Sequence, residues 1–284
     1  MPAPATQLPA PAPSPVDDFD MAARWTGTGA FIGGTANVIM QLSHAPVAYG
    51  VLESSVDSGK VMMHPLKRLR TTLTYLAVAL MGTEEERAAY REAVNTSHRS
   101  IRSSKQSPVK YNAFDPNLQL WVAACLYYGV VDIERRLHGE WDDETADTFY
   151  RFAARLGTSL QMRPDMWPAD RAAFAEYWEA GLATRSIDDR TREYFDTLID
   201  LHMLPKPLRL FAPVQRFLVT GLLPPRLREQ MGMTWSEREE QRLALLMRAI
   251  GASQRKLPTA LRLFPMNFYL ADFRLRRRFG KPLV

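Results

Sequence analysis

A leucine stripe between residues 66 and 80 restricts the fold more than any other feature of this chain. Its members recur at alternating steps of three and four residues: Leu66, Leu69, Leu73, Leu76 and Leu80. Side chains at this spacing lie on one face of a helix. The pattern therefore predicts an amphipathic helix from about residue 65 to Met81, and Gly82 ends it.

Helical signals continue along the rest of the chain. Thr83 and the three glutamates after it predict a second helix, to about Arg102, because carboxylates favour the positive end of the helix dipole. Asp115-Pro116 predicts a third, from Asn117 to about Leu137, whose first two-thirds carry no charge and therefore belong in the centre. Further amphipathic runs lie at about 142–156, 169–183, 188–203, 207–222, 236–250 and 266–278. Since no series of alternating strands and no long polar linker is found, we expect an all-α fold and one helical domain over residues 17–284.

Two N-terminal segments differ from this pattern. Residues 1–16 contain six of the twenty prolines and predict an extended, flexible tail without chemistry. The absence of an export signal predicts a cytoplasmic protein. Residues 25–52 carry no Asp, Glu, Lys or Arg and are long enough to span a membrane. Five glycines and several polar residues favour a buried helix followed by a loop instead.

Composition excludes several classes of protein. The single cysteine, Cys125, excludes an internal disulfide and a paired-cysteine zinc site. The formal charge of +5 comes largely from a C-terminal cluster that includes Arg274 and Arg276–Arg278. No nucleic-acid-reading motif accompanies it, so we expect a solvated helix end, or a contact with an anionic cofactor or lipid, and no nucleic-acid partner. Glycine-rich phosphate loops, GxSxG and HExxH are also absent.

Histidine positions provide the first candidate for chemistry. The five histidines are His44, His64, His98, His138 and His202. His138 precedes a glycine and fits a helix C-terminal cap. His98 shares helical spacing with Tyr90 and Val94, which places its ring on the inward side of the second helix. An inward histidine is either a satisfied core residue or a ligand, and the pattern alone leaves both open.

Three more polar residues lie near these apolar segments. Arg68 and Thr72 are one helical turn apart, beside the leucine stripe. Such an arginine either extends to water or reaches an anionic group across a pocket. Glu53 is the first charged residue after the long apolar segment, and its spacing favours a solvent-facing loop position.

Several motifs together resemble one known family. In chain order they are QLSHAPVAYGV (41–51), RLRTTL (68–73), NTSHR (95–99), YNAFDPNLQLWV (111–122) and LLPPRLR (222–228), followed by Gly232 and Trp235. Their order and spacing resemble the oxygenase family that includes the latex clearing proteins, or rubber oxygenases, and the farnesyl-cleaving oxygenase of mycophenolic acid synthesis. The resemblance spans about residues 20 to 250.

The resemblance implies a helical bundle around one b-type haem whose iron has a histidine as proximal ligand. His98 falls at the family's ligand position, and the opposite iron face is left for dioxygen. Arg68 and Thr72 match residues beside the haem in the latex clearing proteins, and Glu53 matches their proposed catalytic glutamate. The implied activity is oxygenation of a small, apolar, intracellular substrate such as an alkene or isoprenoid. No electron donor or oligomeric state follows from the resemblance.

Two departures from the family and two alternative functions remain. Thr71 stands where the latex clearing proteins have a lysine able to bind the distal iron position, and Ala123 replaces a histidine common in relatives. One alternative is a non-catalytic helical binder of haem or an apolar ligand, which would form no oxygen-dependent product. The other is a peripheral membrane protein that uses residues 25–52 and the basic C-terminal helix and partitions into liposomes.

Overall fold

The computed structural model describes residues 19–54, 56 and 60–284. The predicted tail over residues 1–16 lies outside them. Within the described residues, regular structure is helical apart from one isolated antiparallel bridge between Arg102 and Asn112. The predicted all-α fold is confirmed.

The α-helices run along the chain in the following order: α1 Met21–Arg24, α2 Gly29–Leu42, α3 Ala45–Leu52, α4 Pro65–Met81, α5 Glu84–His98, α6 Pro116–His138, α7 Asp143–Ala153, α8 Arg155–Thr158, α9 Arg171–Ala183, α10 Asp189–Ile199, α11 Ala212–Leu222, α12 Pro225–Gln230, α13 Glu237–Gln254, α14 Thr259–Arg262 and α15 Met266–Arg278. Two 3₁₀ helices, Pro164–Met166 and Lys206–Phe211, precede α9 and α11.

Helix α5 begins where the sequence predicts and ends earlier. The Thr83 hydroxyl accepts a hydrogen bond from the Glu86 N–H, while the Glu86 carboxylate accepts one from the Thr83 N–H. This capping box confirms the predicted start. The helix ends at His98 rather than Arg102 because the backbone of residues 101–103 turns away and pairs with residues 111–113. His98 is therefore the last residue of its helix.

Other boundaries also differ from the prediction where the chain meets a local break. The run at 142–156 divides into α7 and α8 at Ala154, and the run at 207–222 begins as a 3₁₀ helix. Helix α10 ends at Ile199, shortly before Leu201 adopts a φ of 56°. That left-handed backbone conformation cannot continue a right-handed helix.

Residues 25–52 form two separate helices, α2 and α3. Ser43 and His44 lie between them, and Pro46 occupies the first turn of α3. The prediction of a loop after the first helix is therefore wrong. The chain forms α3 there, because proline is well accommodated at a helix start. In the part of the chain that the structure describes, no helix combines the length and apolarity needed to cross a bilayer.

Helix α6 forms the centre of the fold, as its charge-free sequence predicts. It packs against α2 and α13. The Trp121 ring stacks on Trp178 with centroids 5.3 Å apart, and Tyr127 meets Phe174 edge to face at 4.7 Å. Cys125 is fully buried, and burial raises the pKa of its thiol. Aromatic packing of this kind adds stability beyond area burial.

The leucine stripe of α4 is only partly in the core. Leu73, Leu76 and Leu80 are buried, but Leu66 is 76% exposed and Leu69 is 37% exposed. Helix α4 packs against α15 and α5. The first turns of α4 therefore expose apolar side chains just before and just after Arg68 in the sequence.

Much of the C-terminal arginine cluster is paired with carboxylates. Arg274 lies 2.6 Å from Glu86, and Arg277 lies 2.7 Å from Glu85, both on α5. Arg276 pairs with Asp272 on its own helix. The first two ion pairs hold α15 against α5, and the third stabilises α15 itself.

Candidate active site

His98 places a largely buried imidazole at the C-terminal end of α5. Its ring meets the Phe114 ring edge to face at 6.4 Å. The Nδ1 atom is buried and has no hydrogen-bond partner among the described residues. A buried polar atom without a partner costs free energy, so this nitrogen is a natural point for ligand binding.

The surroundings of His98 keep its imidazole neutral. Burial, followed by repulsion from the Arg68 guanidinium, lowers the pKa of His98 to about 4. A neutral imidazole retains the lone pair that a metal ligand needs. The ring can therefore donate to a metal throughout the neutral pH range.

Arg68 is the charged residue whose repulsion contributes to the low pKa of His98. Its guanidinium acts on His98 and also on Tyr194 of α10, where it opposes the rise in pKa caused by burial. Arg68 is exposed and has no carboxylate partner in the described part of the chain. Helices α4, α5 and α10 thus bring an unpaired guanidinium, an imidazole and a phenol into one neighbourhood. The sequence analysis missed Tyr194, because no local pattern marks it.

Thr72 and Thr71 are both tied to the backbone of α4. Each hydroxyl donates a hydrogen bond to the Arg68 carbonyl oxygen, at 2.9 Å from Thr72 and 3.0 Å from Thr71. The Tyr90 hydroxyl donates to the Thr71 carbonyl oxygen at 2.8 Å, which joins α4 to α5. The Thr72 hydroxyl can still accept a hydrogen bond through its oxygen.

Glu53 lies in a separate polar cluster after α3. Its Oε2 accepts hydrogen bonds from the Ser107 hydroxyl at 2.5 Å and the Tyr111 hydroxyl at 2.9 Å, and Arg190 lies 3.5 Å from Oε1. The Ser107 hydrogen bond is the main cause of a lowered pKa for Glu53. Among the described residues, no hydrogen bond or ion pair connects Glu53 to Arg68, Thr72 or His98.

The loop after α5 connects the Glu53 cluster to His98. Tyr111 pairs through its backbone with Ser103, and Ala113 pairs with Ile101, three residues after His98. Gly50 of α3 lies against both Ile101 and Tyr111. The structure therefore places Arg68 where its charge acts on His98, and it relates Glu53 to them only through this loop.

A second, half-buried histidine belongs to another part of the fold. His44 Nδ1 lies 2.9 Å from an Arg185 nitrogen, and that guanidinium stacks over the Trp121 ring. Burial, followed by the Arg185 charge, lowers the pKa of His44 to about 4. Ala123 is fully buried on the same helix as Trp121. The sequence contains no local signal for this contact across 141 positions.

The lowered pKa of His98 predicts a loss of stability in acid. Between about pH 6.5 and 4 the unfolded state binds a proton that the folded imidazole does not, so unfolding becomes easier as the pH falls. When the pH is lowered from 7 to 5, the free energy of unfolding should fall by roughly 2 kcal/mol less for His98→Gln, prepared without hemin, than for the wild-type protein. Urea titrations at both pH values measure this.

The exposed His202 provides the control for that comparison. His202→Gln should retain the wild-type change in stability between the two pH values, whereas His44 leaves part of the acid sensitivity in every variant. Equal changes in His98→Gln and the wild-type protein would contradict the expected environment of His98.

A haem would need only one iron ligand from this site. In the described part of the chain, no group of three His, Cys, Asp or Glu residues could hold a metal ion. A haem iron needs one protein ligand on its proximal side. The unpaired, neutral imidazole of His98 can supply that ligand, and the unpaired Arg68 can bind a carboxylate.

Residues 23–252 match the family model described as "ER-bound oxygenase mpaB/B'/Rubber oxygenase, catalytic domain". This chain belongs to that family. The match includes every candidate residue above and extends through α13 nearly to its end. The expected resemblance is thus confirmed, and the described helices are those of an oxygenase-type catalytic domain.

Two mycobacterial proteins are similar to this family member over most of its length. Uncharacterized proteins of Mycobacterium bovis and Mycobacterium tuberculosis are each 49% identical over 250 residues, which cover 88% of this chain and 98% of theirs. No solved structure matches the chain at a significant level.

Proposed function

We propose that this protein is a haem-dependent oxygenase that acts on a small apolar molecule with a carbon–carbon double bond. The observation that carries the proposal is the largely buried, neutral His98, whose Nδ1 lacks a partner among the described residues. Family membership supports the oxygenase chemistry. A b-type haem, when bound, supplies the redox chemistry with dioxygen, while the protein provides ligation, polarity and access.

Each candidate residue has a defined role in this proposal. His98 would bind the iron, and Arg68 would neutralise a haem carboxylate or donate a hydrogen bond to dioxygen beside it. The Thr72 hydroxyl oxygen would orient the group that Arg68 binds. Leu66 and Leu69 leave apolar surface exposed beside Arg68, which suits an apolar ligand.

Glu53 is proposed to accept a proton from an allylic carbon of the substrate. Its lowered pKa keeps the carboxylate ionised at neutral pH, but the hydrogen bonds from Ser107 and Tyr111 also weaken it as a base. This role requires the substrate to extend from His98 to the loop that carries those two residues.

Oxygen consumption with a matched pair of substrates tests the proposed function. We expect hemin-loaded protein, reduced by ascorbate, to consume oxygen with farnesol and to yield oxygenated products by mass spectrometry. Hexahydrofarnesol has the same chain without double bonds and should give no product. The masses also distinguish cleavage from hydroxylation.

The same experiment distinguishes the non-catalytic alternative. A protein that binds hemin but forms no oxygen-dependent product from farnesol would be a haem carrier and not an oxygenase. A peripheral membrane contact remains a second proposal, because Phe268, Leu275 and Phe279 are exposed on or beside the arginine-rich α15. Liposome partition addresses that contact independently of haem.

A further inference from the structure

A basic cavity lies between the C-terminal end of α6 and one face of α13. Its volume is about 430 Å³, and its polar lining includes Arg135, Arg136, His138, Glu240, Arg248 and Arg255. This volume is within the range of small-molecule sites, roughly 300–1,000 Å³. None of these residues belongs to the site around His98.

Two small residues on α13 shape this cavity. Gly251 lets α13 approach the end of α6 so closely that a Cβ atom there would be 1.9 Å from the Leu137 carbonyl oxygen. Ala244, two helical turns earlier, lines the cavity with a short side chain. The helices therefore touch at Gly251 and leave space next to that contact, flanked by Arg248 and Arg255.

Two carboxylates near the cavity, Asp132 and Glu240, are already used by the two arginines of α6. A third, Glu134, lies 3.7 Å from the Nε2 atom of His138, and burial raises its pKa to about 7. Asp132 lies 2.5 Å from Arg135 and 2.8 Å from Arg136. Glu240 binds Arg136 at 2.9 Å through one oxygen and accepts a hydrogen bond from Trp235 through the other. Neither oxygen of Glu240 is left to neutralise another cation.

Arg248 and Arg255 provide the excess positive charge. In the described part of the chain, neither has a carboxylate partner; Arg248 donates only to the Ala244 carbonyl oxygen. The Arg255 charge, after burial, lowers the pKa of His138, so the guanidinium acts directly on the imidazole that lines the cavity. The two arginines are seven residues apart: Arg248 lies in α13, and Arg255 is the residue that caps its C-terminal end.

His138 adds a donor with an unused nitrogen. Its Nε2 lies 2.7 Å from the Thr26 hydroxyl, whereas its buried Nδ1 has no hydrogen-bond partner among the described residues. An anion in the cavity would meet two guanidinium groups. Planar guanidinium groups suit phosphate oxygens, which accept two parallel hydrogen bonds.

We propose that the cavity between α6 and α13 binds a small molecule carrying a phosphate or pyrophosphate group. Two unpaired arginines match the charge of about −2 on a phosphate monoester, and a pyrophosphate group carries more negative charge. The site lies at the opposite end of α6 from Phe114, the residue whose ring meets His98. With 23 residues, α6 is about 35 Å long, so the cavity lies well away from the site around His98.

Calorimetric titration with sodium pyrophosphate at constant ionic strength tests this site in the full-length protein. We expect saturable binding that weakens at least about tenfold in Arg248→Gln/Arg255→Gln, because charge-assisted hydrogen bonds are lost. Arg238→Gln/Arg242→Gln removes the same charge from exposed positions of α13 outside the cavity. This control should change the affinity less than about twofold.

Three results would overturn the proposal. The first is absence of saturable pyrophosphate binding by the wild-type protein. The second is equal weakening in both double variants, which would indicate general attraction to a basic surface. The third is unchanged affinity in Arg248→Gln/Arg255→Gln, with unfolding curves confirming that both variants remain folded.

Discussion

His98→Ala protein is expected to lose the Soret band that the wild-type protein develops with hemin. The substitution removes a largely buried, neutral imidazole whose Nδ1 has no hydrogen-bond partner among the described residues. Loss of a group that only hydrogen-bonds to a metal ligand already costs about 10–100-fold in metal affinity, so loss of the ligand itself should cost more than about a hundredfold. Absorbance titration with hemin, before and after dithionite, measures the effect.

His202→Ala is the matched control for that titration. The His202 side chain is exposed, so this substitution removes an imidazole without changing the site. It should bind hemin as the wild-type protein does. Far-ultraviolet circular dichroism checks that His98→Ala remains helical. An unchanged Soret band in folded His98→Ala would remove His98 as the iron ligand, and with it the basis of the proposed function.

Among substitutions that add one methyl group to α13, Gly251→Ala is expected to cause the largest loss of stability. The new Cβ would lie 1.9 Å from the Leu137 carbonyl oxygen and 2.7 Å from its carbonyl carbon. Both atoms are backbone, so α6 and α13 must separate. We expect a loss of about 3 kcal/mol or more in the free energy of unfolding, at the upper end for overpacking.

Gly34→Ala provides the opposite control. Gly34 lies inside α2, and a Cβ there meets nothing within 4 Å. Alanine should therefore stabilise the protein by up to about 1 kcal/mol, since glycine is a poor helix former. Urea unfolding compares the two variants, and a similar change in both would argue against close contact between α6 and α13.

Helix starts were predictable because the relevant interactions are local. The capping box of Thr83 and Glu86 needs only residues three apart, and Asp115-Pro116 begins α6 by the same kind of short-range hydrogen bond. The end of α5 was not predictable. It depends on pairing between residues 101–103 and 111–113, and no pattern within α5 encodes that contact.

The candidate site was predicted in part. Helical spacing placed His98 inward, and family resemblance connected it with Arg68, whose charge does act on the His98 imidazole. Tyr194 was missed because it approaches Arg68 from α10, more than 120 positions along the chain. The exposure of Leu66 was missed because periodicity shows which residues share a face but not how far the covering helices extend.

The sequence alone determined the helical class, the central position of α6 and the family, because periodicity, capping and motif order are all properties of neighbouring residues. Only the tertiary structure decided that His98 ends its helix within reach of the Arg68 charge, that Glu53 joins a different cluster, and that Arg248 and Arg255 face a cavity without a carboxylate partner in the described part of the chain. These features arise from contacts between distant segments. Burial and charge then change the chemistry of each group in ways that its neighbours along the chain do not reveal.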